Sequence, residues 1–366
     1  MALKSKKVIQ THTIRPAGGT WHVNIDADVL CYRVAWACQK TKYRLKSGKE
    51  VIREDSTRAK VLGSEYKQWD DSQLSEAGLK VQKKVTTDEL DAVKYSVNHM
   101  IQEVINSCNA GSWTLYLTGS GNYRAEIATR RKYKAGRSER PVLYKFIRDY
   151  MVDELGALMI EGMEADDALS IASWDELRRI RKSEGCSPEE ACRKSKVILA
   201  SIDKDLKQVP GWFYNISWMG EYPPMLVLPF GHLYWIDGPK GGKADFSGLM
   251  GLYFQMLIGD TVDAIPGCDG VGPSKAYNIL KDCTTEGELY EAVLDTYREK
   301  MGDVVSYIHW TDLVDPDIPI TKCESTPWAK PVEVTVEEYL QEQANLLFML
   351  RKRPVGGEVK LWKAPK

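Results

Sequence analysis

The chain has 366 residues, 43% of them hydrophobic, enough for two domains or for one with a large appendage. Lys and Arg (50) nearly cancel Asp and Glu (51), so a nucleic-acid partner has to be argued from where charges sit, not from their sum. No stretch reaches the ~18 apolar residues of a membrane span, no secretory signal follows the basic stretch Met1–Gln10, and the cysteines, lacking a C-x-x-C pair, read as reduced cytoplasmic thiols.

Trp21–Ile25 is a β-branched and aromatic run that reads as a strand ending at Asp26, followed by a helix over Leu30–Ala37. Residues 41–86 are charged with little apolar period, and are expected to be an exposed insertion or a set of mobile helices. Thr86 and Glu89 offer a capping box, after which Leu90, Val93, Val97, Ile101 and Val104 recur at helical spacing. Trp113–Leu117 is a buried-strand candidate. Met151–Ile160 is apolar and leads through Glu161–Asp167 into a helix begun by Ala168, Leu169 and Ala172. Lys196–Ala200 is another strand, ending in Ser201–Asp205. Strands alternating with helices predict an α/β fold with a mostly parallel sheet flanked by helices. Past residue 245 the pattern turns helical. Thr335 and Glu338 form a second capping box, Leu340, Ala344 and Leu347 share a face, and Val359–Trp362 reads as a closing strand.

Four carboxylate groups stand at the ends of these elements: Asp26; Glu164, Asp166 and Asp167; Asp203 and Asp205; Asp260 and Asp263. In an open parallel sheet, ligands bind outside the carboxyl ends of the strands, where several of these groups can converge. Acidic residues at a helix start are also ordinary caps, and each cluster alone has that reading. Together, so many carboxylates repel one another unless a cation joins them. Hard oxygen ligands with few histidines point to two Mg²⁺ ions, with Mn²⁺ as a substitute. His12, His22, His99, His232 and His309 are scattered, no Ser/His/Asp arrangement is evident, and none is assigned to catalysis.

Glu164-Ala165-Asp166-Asp167, Asp203-Lys204-Asp205-Leu206 and Gly259-Asp260-Thr261-Val262-Asp263-Ala264-Ile265-Pro266-Gly267 resemble three signatures of the 5′ nucleases, which include flap endonucleases and the 5′-nuclease domain of bacterial DNA polymerase I. Asn24-Ile25-Asp26 resembles the first strand and its metal ligand. The C-terminal Leu361–Pro365 resembles the tail of short-tailed-phage replication exonucleases. The resemblance implies a PIN-like catalytic domain over residues 1–244, carrying the 41–86 insertion and a basic helical segment at 124–148. It also implies a helix–hairpin–helix DNA-binding region over 245–366. All eight carboxylates would hold the metals, directly or through water. The implied activity is metal-dependent 5′→3′ exonuclease or flap cleavage of DNA in phage replication or recombination. One departure stands out: many family members carry an Asp after the second strand, where this chain has Leu117-Thr118-Gly119-Ser120.

Residues 124–148 hold nine cations: Arg124, Arg130, Arg131, Lys132, Lys134, Arg137, Arg140, Lys145 and Arg148. Tyr123, Tyr133 and Tyr144 are interleaved. Such a run is commonly a solvated helix face, but cations with aromatic platforms also suit single-stranded DNA. Tyr133-Lys134-Ala135-Gly136-Arg137 resembles the family's Tyr-Lys-x-x-Arg motif. That likeness implies Lys134 and Arg137 at the scissile phosphate and Tyr133 near the terminal base, while the carboxylate signatures imply catalytic roles for Asp26 and Asp203. Lys204 adds a cation beside the carboxylates. Gly270, Gly272, Pro273 and Lys275 read as a glycine turn entering a helix, suited to a phosphate. The resemblance also implies a potassium ion there. Two other readings are an RNase H-like nuclease acting on RNA–DNA hybrids and a non-catalytic DNA-binding scaffold. The sequence does not give the oligomeric state.

Overall fold

The computed structural model describes residues 13–218, 220–239, 241–318 and 323–365; the basic stretch Met1–Gln10 lies outside them. In chain order, β1 (Trp21–Asp26) runs directly into α1 (Ala27–Ala37). Next come β2 (Gln39–Ser47), β3 (Glu50–Asp55), α2 (Arg58–Tyr66), α3 (Asp71–Glu76) and β4 (Leu79–Thr87). They are followed by α4 (Leu90–Ser107), β5 (Ala110–Thr118), α5 (Tyr123–Ile127), α6 (Tyr144–Asp153) and β6 (Leu158–Ile160). The acidic region starts α7 (Ala165–Glu184), then α8 (Pro188–Lys194), β7 (Val197–Ser201), β8 (Gly211–Asn215) and β9 (Met225–Val227). The remainder is β10 (His232–Ile236), β11 (Lys243–Ser247), α9 (Gly248–Ile258), α10 (Pro273–Leu280), α11 (Glu286–Met301), β12 (Val304–Ile308), β13 (Pro331–Thr335) and α12 (Val336–Leu347). Two compact units interleave along the chain. One gathers Val29–Gln102 and Arg140–Gly156; the other gathers Pro16–Asp28, Glu103–Glu139 and Ala157–Lys366.

The second unit is built on a six-stranded sheet in the order β6-β5-β1-β7-β8-β9. Its first five strands are parallel and β9 runs antiparallel at the edge. This is the α/β class expected from the alternation of strands and helices. Val23 to Asp26 are all buried, as a central parallel strand covered on both faces must be. From β1 the chain builds outward through β5 and β6, then returns to place β7 on the other side of β1. The strand order therefore reverses between β1 and β7, the point at whose carboxyl ends an open α/β sheet offers a crevice to ligands. The helices past residue 245 share a large core with the β10–β11 hairpin, from Tyr253 and Phe254 to Tyr339 and Leu347. The capping box of Thr335 and Glu338 forms, and Leu340, Ala344 and Leu347 are buried. Val359–Trp362 is not a strand. The segment is anchored by the Trp362 indole against Tyr253 and Tyr290, and by the Gln341 amide donating to the Trp362 carbonyl at 2.8 Å.

The first unit corrects the expectation for residues 41–86. They form an antiparallel sheet, order β3-β2-β4, with α2 and α3 packed on one face over Leu45, Val61, Leu62 and Leu74. Only alternate residues of β2 and β4 face that core, so lysines between them hide the period of two. Thr86 is used in β4, where its hydroxyl donates to the Lys40 carbonyl, so it does not cap α4. Val93, Val97, Ile101 and Val104 are buried as spaced, while Leu90 stays half exposed. The basic segment 124–148 is helical only at its two ends, in α5 and α6.

Candidate active site: carboxylates at the sheet edge

Acids stand at or beyond the carboxyl ends of β1, β6 and β7. Asp26 ends β1 and is 3% exposed; its carboxylate accepts from the Ser201 hydroxyl at 2.7 Å, at the end of β7. Asp203 and Asp205 follow β7. The Asp205 N–H donates to the Asp203 carboxylate at 2.8 Å, and the Gln255 amide donates to Asp205. Glu164 is the N-cap residue of α7, and the next N–H, of Ala165, donates to the Thr118 hydroxyl at the end of β5. Asp166 and Asp167 lie in the first turn of α7.

Asp260 and Asp263 are held by a closed loop. The Asp260 and Ile265 backbones exchange hydrogen bonds of 2.8 and 2.7 Å. Gly259 and Gly267, both at positive φ, approach so closely that a methyl on either would overlap the other's backbone. The Asp260 carboxylate accepts from Val262 N–H at 2.7 Å and pairs with Lys204 at 2.9 Å. Asp263 turns outward and accepts from the Tyr133 hydroxyl at 2.8 Å and from Arg137 at 2.8 Å. The Lys134 N–H donates to the Asp263 carbonyl at 3.0 Å, with Lys134 itself at φ +60°. Lys134 pairs with Glu164, which also accepts from Tyr133 at 2.9 Å. The structure thus joins the Tyr133–Arg137 segment directly to two of the expected metal ligands.

Charge in this cluster is unevenly compensated. Burial pushes the Glu164 carboxyl upward, but Lys134 and Arg124 outweigh it and hold it below the ordinary carboxylate range. Burial raises Asp166 well above that range, and the facing Asp26 and Asp203 raise it further. Asp205 is likewise raised by burial, with Asp203 and Asp260 adding to it, and Asp203 is raised chiefly by burial. Oδ1 of Asp166 is buried and has no hydrogen-bond partner among the described residues. Among the described residues, no three of these side chains converge tightly enough to hold an ion as they stand. Even so, an orphaned carboxylate oxygen facing two further acids is a donor set that fits a hard divalent cation.

Asp167 has a different setting. It is fully buried and takes Arg124 in a bidentate pair at 2.6 and 3.0 Å, together with the Leu350 N–H at 3.1 Å. Arg124 spends its remaining donors on Glu164 and on the carbonyls of Leu346 and Phe348, so it lies inside the protein and not on the basic face expected for it. Arg130 pairs with Asp269 at 3.1 Å and lies over the Tyr339 ring; Arg131 is half-buried. Lys275 is exposed on the first turn of α10. Added methyl groups on Gly270 and Gly272 would meet only open space; Gly270 lies at φ +75°, where glycine is favoured, whereas neither packing nor a positive φ requires glycine at 272.

Two features were not legible in the residues alone. A side chain at Gly119 would run into the Glu161 carboxylate, which is held there by the Ser120 N–H at 2.7 Å and its hydroxyl at 2.6 Å. A carboxylate from the exit of β6 thus occupies the space that a side chain at position 119 would need. There is also a Ser/His/Asp arrangement: the Ser247 hydroxyl lies 2.8 Å from His232 Nδ1, and His232 Nε2 lies 3.0 Å from Asp245. Ser247 is 1% exposed, and the adjacent N–H groups of Leu249 and Met250 are taken by the Pro229 and Phe230 carbonyls. Those two N–H groups are therefore not available to an oxyanion. His232 and Ser247 are cross-strand partners in β10–β11, and the trio locks that hairpin.

No family model and no curated protein matches the chain. Solved structures do resemble it. One is a bacteriophage T5 flap endonuclease in a pseudo-enzyme-product complex with DNA and metal ions, at 13% identity and TM-score 0.34, covering 76% of this chain and 88% of that one. Another is the T5 5′-exonuclease with bound divalent metal ions (zinc), at 15% identity and TM-score 0.37, covering 89% and 86%. At such distances the chemistry has to be read from the side chains.

Proposed function

We propose that this chain is a metal-dependent nuclease of the 5′-nuclease superfamily, hydrolysing DNA phosphodiester bonds from a 5′ end in phage replication or recombination. The observation that carries the reading is the buried, unpartnered Asp166 oxygen, faced by Asp26 and Asp203 at the strand-order reversal. Two divalent ions, Mg²⁺ or Mn²⁺, would supply activation of water and neutralisation of the leaving oxygen. Asp26, Asp166, Asp203 and Asp205 would hold them, with Glu164, Asp260 and Asp263 at the rim. Asp167 serves this set indirectly, by fixing the start of α7 through Arg124.

Lys134 and Arg137 act on the phosphate. Both now serve as counterions to Glu164 and Asp263, yet their side chains remain 21% and 45% exposed. Either can reach a phosphate oxygen by rotating its side chain, with the Lys134 backbone clamped to Asp263. Positive charge there stabilises what develops on the phosphoryl oxygens. Tyr133 supplies a flat ring beside Lys134, whose ammonium lies 5.1 Å from the ring centroid. The exposed backbone at Gly270 and Gly272, leading into α10, would supply N–H groups for a duplex phosphate, with Lys275 on the same turn, and a potassium ion held there would add positive charge.

The test is release of a 5′ label from duplex DNA with a 5′ overhang. Wild type should release label with Mg²⁺ and not with chelator, and Asp203→Asn should not release it at all. Lys134→Ala should lower the rate about a hundredfold with little change in duplex affinity. Binding without release in either Mg²⁺ or Mn²⁺ would transfer the reading to a scaffold. A faster rate on an RNA–DNA hybrid would make primer removal the activity.

A further inference from the structure

The open face of the three-stranded sheet in the first unit carries a concentration of charge that the proposed nuclease site does not use. The register of β2 and β4 sets Lys40 opposite Thr86, Lys42 opposite Lys84, Arg44 opposite Gln82 and Lys46 opposite Lys80. Directly opposed residues share a face. Tyr43, Leu45, Leu79 and Val81 point the other way, under α2 and α3. Six cations therefore share one solvent-facing surface. A single carboxylate, Glu54 of β3, pairs with both Lys42 and Arg44. Lys40, Lys46, Lys80 and Lys84 make no salt bridge with any described residue.

The ordinary explanation for lysines on a sheet is protection of an open edge from pairing with other strands. It covers Lys80 and Lys84 on the edge strand β4. It does not cover β2, which is the middle strand and is paired on both sides. Moreover, lysine stands directly opposite lysine twice, at 42 and 84 and at 46 and 80. Like charges so placed destabilise a sheet. The repulsion is concentrated here although the whole chain has a net charge of −1. A polyanion lying across the face would relieve it.

We propose that this face binds the phosphate backbone of duplex DNA, as a second surface independent of the carboxylate site. Charge complementarity identifies a polyanion. The lack of a stacking platform selects the duplex: Tyr43, Tyr66 and Trp69 belong to the helix-covered side, so this face offers no ring on which a single strand's bases could stack. The contacts are to phosphates, and the binding is therefore indifferent to sequence.

Duplex binding is measured with chelator present, so cleavage plays no part in the readout. The probe is a blunt duplex oligonucleotide, followed by fluorescence anisotropy over a range of salt. The variant carries Lys40→Gln, Lys46→Gln, Lys80→Gln and Lys84→Gln together. At about 50 mM salt its affinity should fall at least tenfold, and its log–log salt slope should flatten by about 3.6, since each of the four lost phosphate contacts removes about 0.9. Arginine at the same four positions should keep both affinity and slope. The glutamine variant should melt no lower than wild type, because the lysine–lysine pairs are gone. Unchanged duplex affinity and slope in the glutamine variant overturn the proposal. So does a loss confined to a single strand of the same sequence, or to vesicles of phosphatidylserine and phosphatidylcholine. Failure of the nuclease reading would show in label release and leave these binding curves untouched.

Discussion

A helix turns about 100° per residue, so Asp166 and Asp167 leave α7 in different directions. Asp166 faces other acids and keeps a bare oxygen, whereas Asp167 enters the interior and meets Arg124. Replacing Arg124 therefore strands a buried carboxylate. Arg124→Met should cost about 3–5 kcal/mol of stability in urea unfolding, because breaking a buried pair leaves an uncompensated charge. At a temperature where the variant remains folded, its affinity for DNA should match wild type, since the guanidinium is 1% exposed. A loss of affinity with unchanged stability would contradict the buried placement. The sequence showed both residues as candidates for function. It could not say which of two adjacent aspartates points inward, because that depends on the chain around residues 346–350.

At the scale of elements, the loop from Gly259 to Gly267 shows how a short motif is built. Gly267→Ala adds a methyl that overlaps the Gly259 backbone at a position already at φ +69°. It should cost more than about 2 kcal/mol and abolish label release, because Asp260 and Asp263 move with the loop. Gly270→Ala has the same backbone handedness but open space around it, and should cost only about 1 kcal/mol. Unfolding curves of the two variants separate overlap from strain. The strands at β1, β5 and β7 were legible because their runs are apolar and buried. The β2–β4 sheet was not, because basic and polar residues at every second position, from Lys40 to Lys46 and from Lys80 to Thr86, look like featureless charge. Thr86 offered a helix-capping pattern that strand pairing overrode, and Val359–Trp362 had a strand's composition without a neighbour to pair with. Glu161 could not be tied to Gly119 from sequence, since their proximity exists only once β6 lies beside β5.

For the molecule as a whole, the uncompensated acids make stability depend on pH and on cations. Asp166, Asp203 and Asp205 have raised values in the folded state, mainly through burial. Their protonated forms favour folding, so this contribution is fully present below the ordinary range of about 4 and is lost as pH rises through the raised values. Glu164, held low, works in the opposite sense and loses its contribution as pH falls. With chelator, the melting temperature should decline as pH is raised from the carboxylate range toward neutrality. Added Mg²⁺ should flatten that decline, because binding to the folded state stabilises it by mass action. Asp166→Asn should melt higher than wild type in chelator, while releasing no label. A chelated protein whose melting is flat across this range would show that the acids are not in conflict.

The Arg124 guanidinium also sets a schedule. Its main-chain partner at Leu346 lies 222 residues further along the chain. At about 5–20 residues per second, a ribosome needs roughly ten to forty seconds to get from one to the other. Until then the arginine has no carbonyls to hold, and its pair with Asp167, at the start of the helix that presents Asp166, lacks that support. A nascent chain stopped short of residue 346 should therefore show none of the proposed label release, which would begin only once Leu346 and Phe348 have been added.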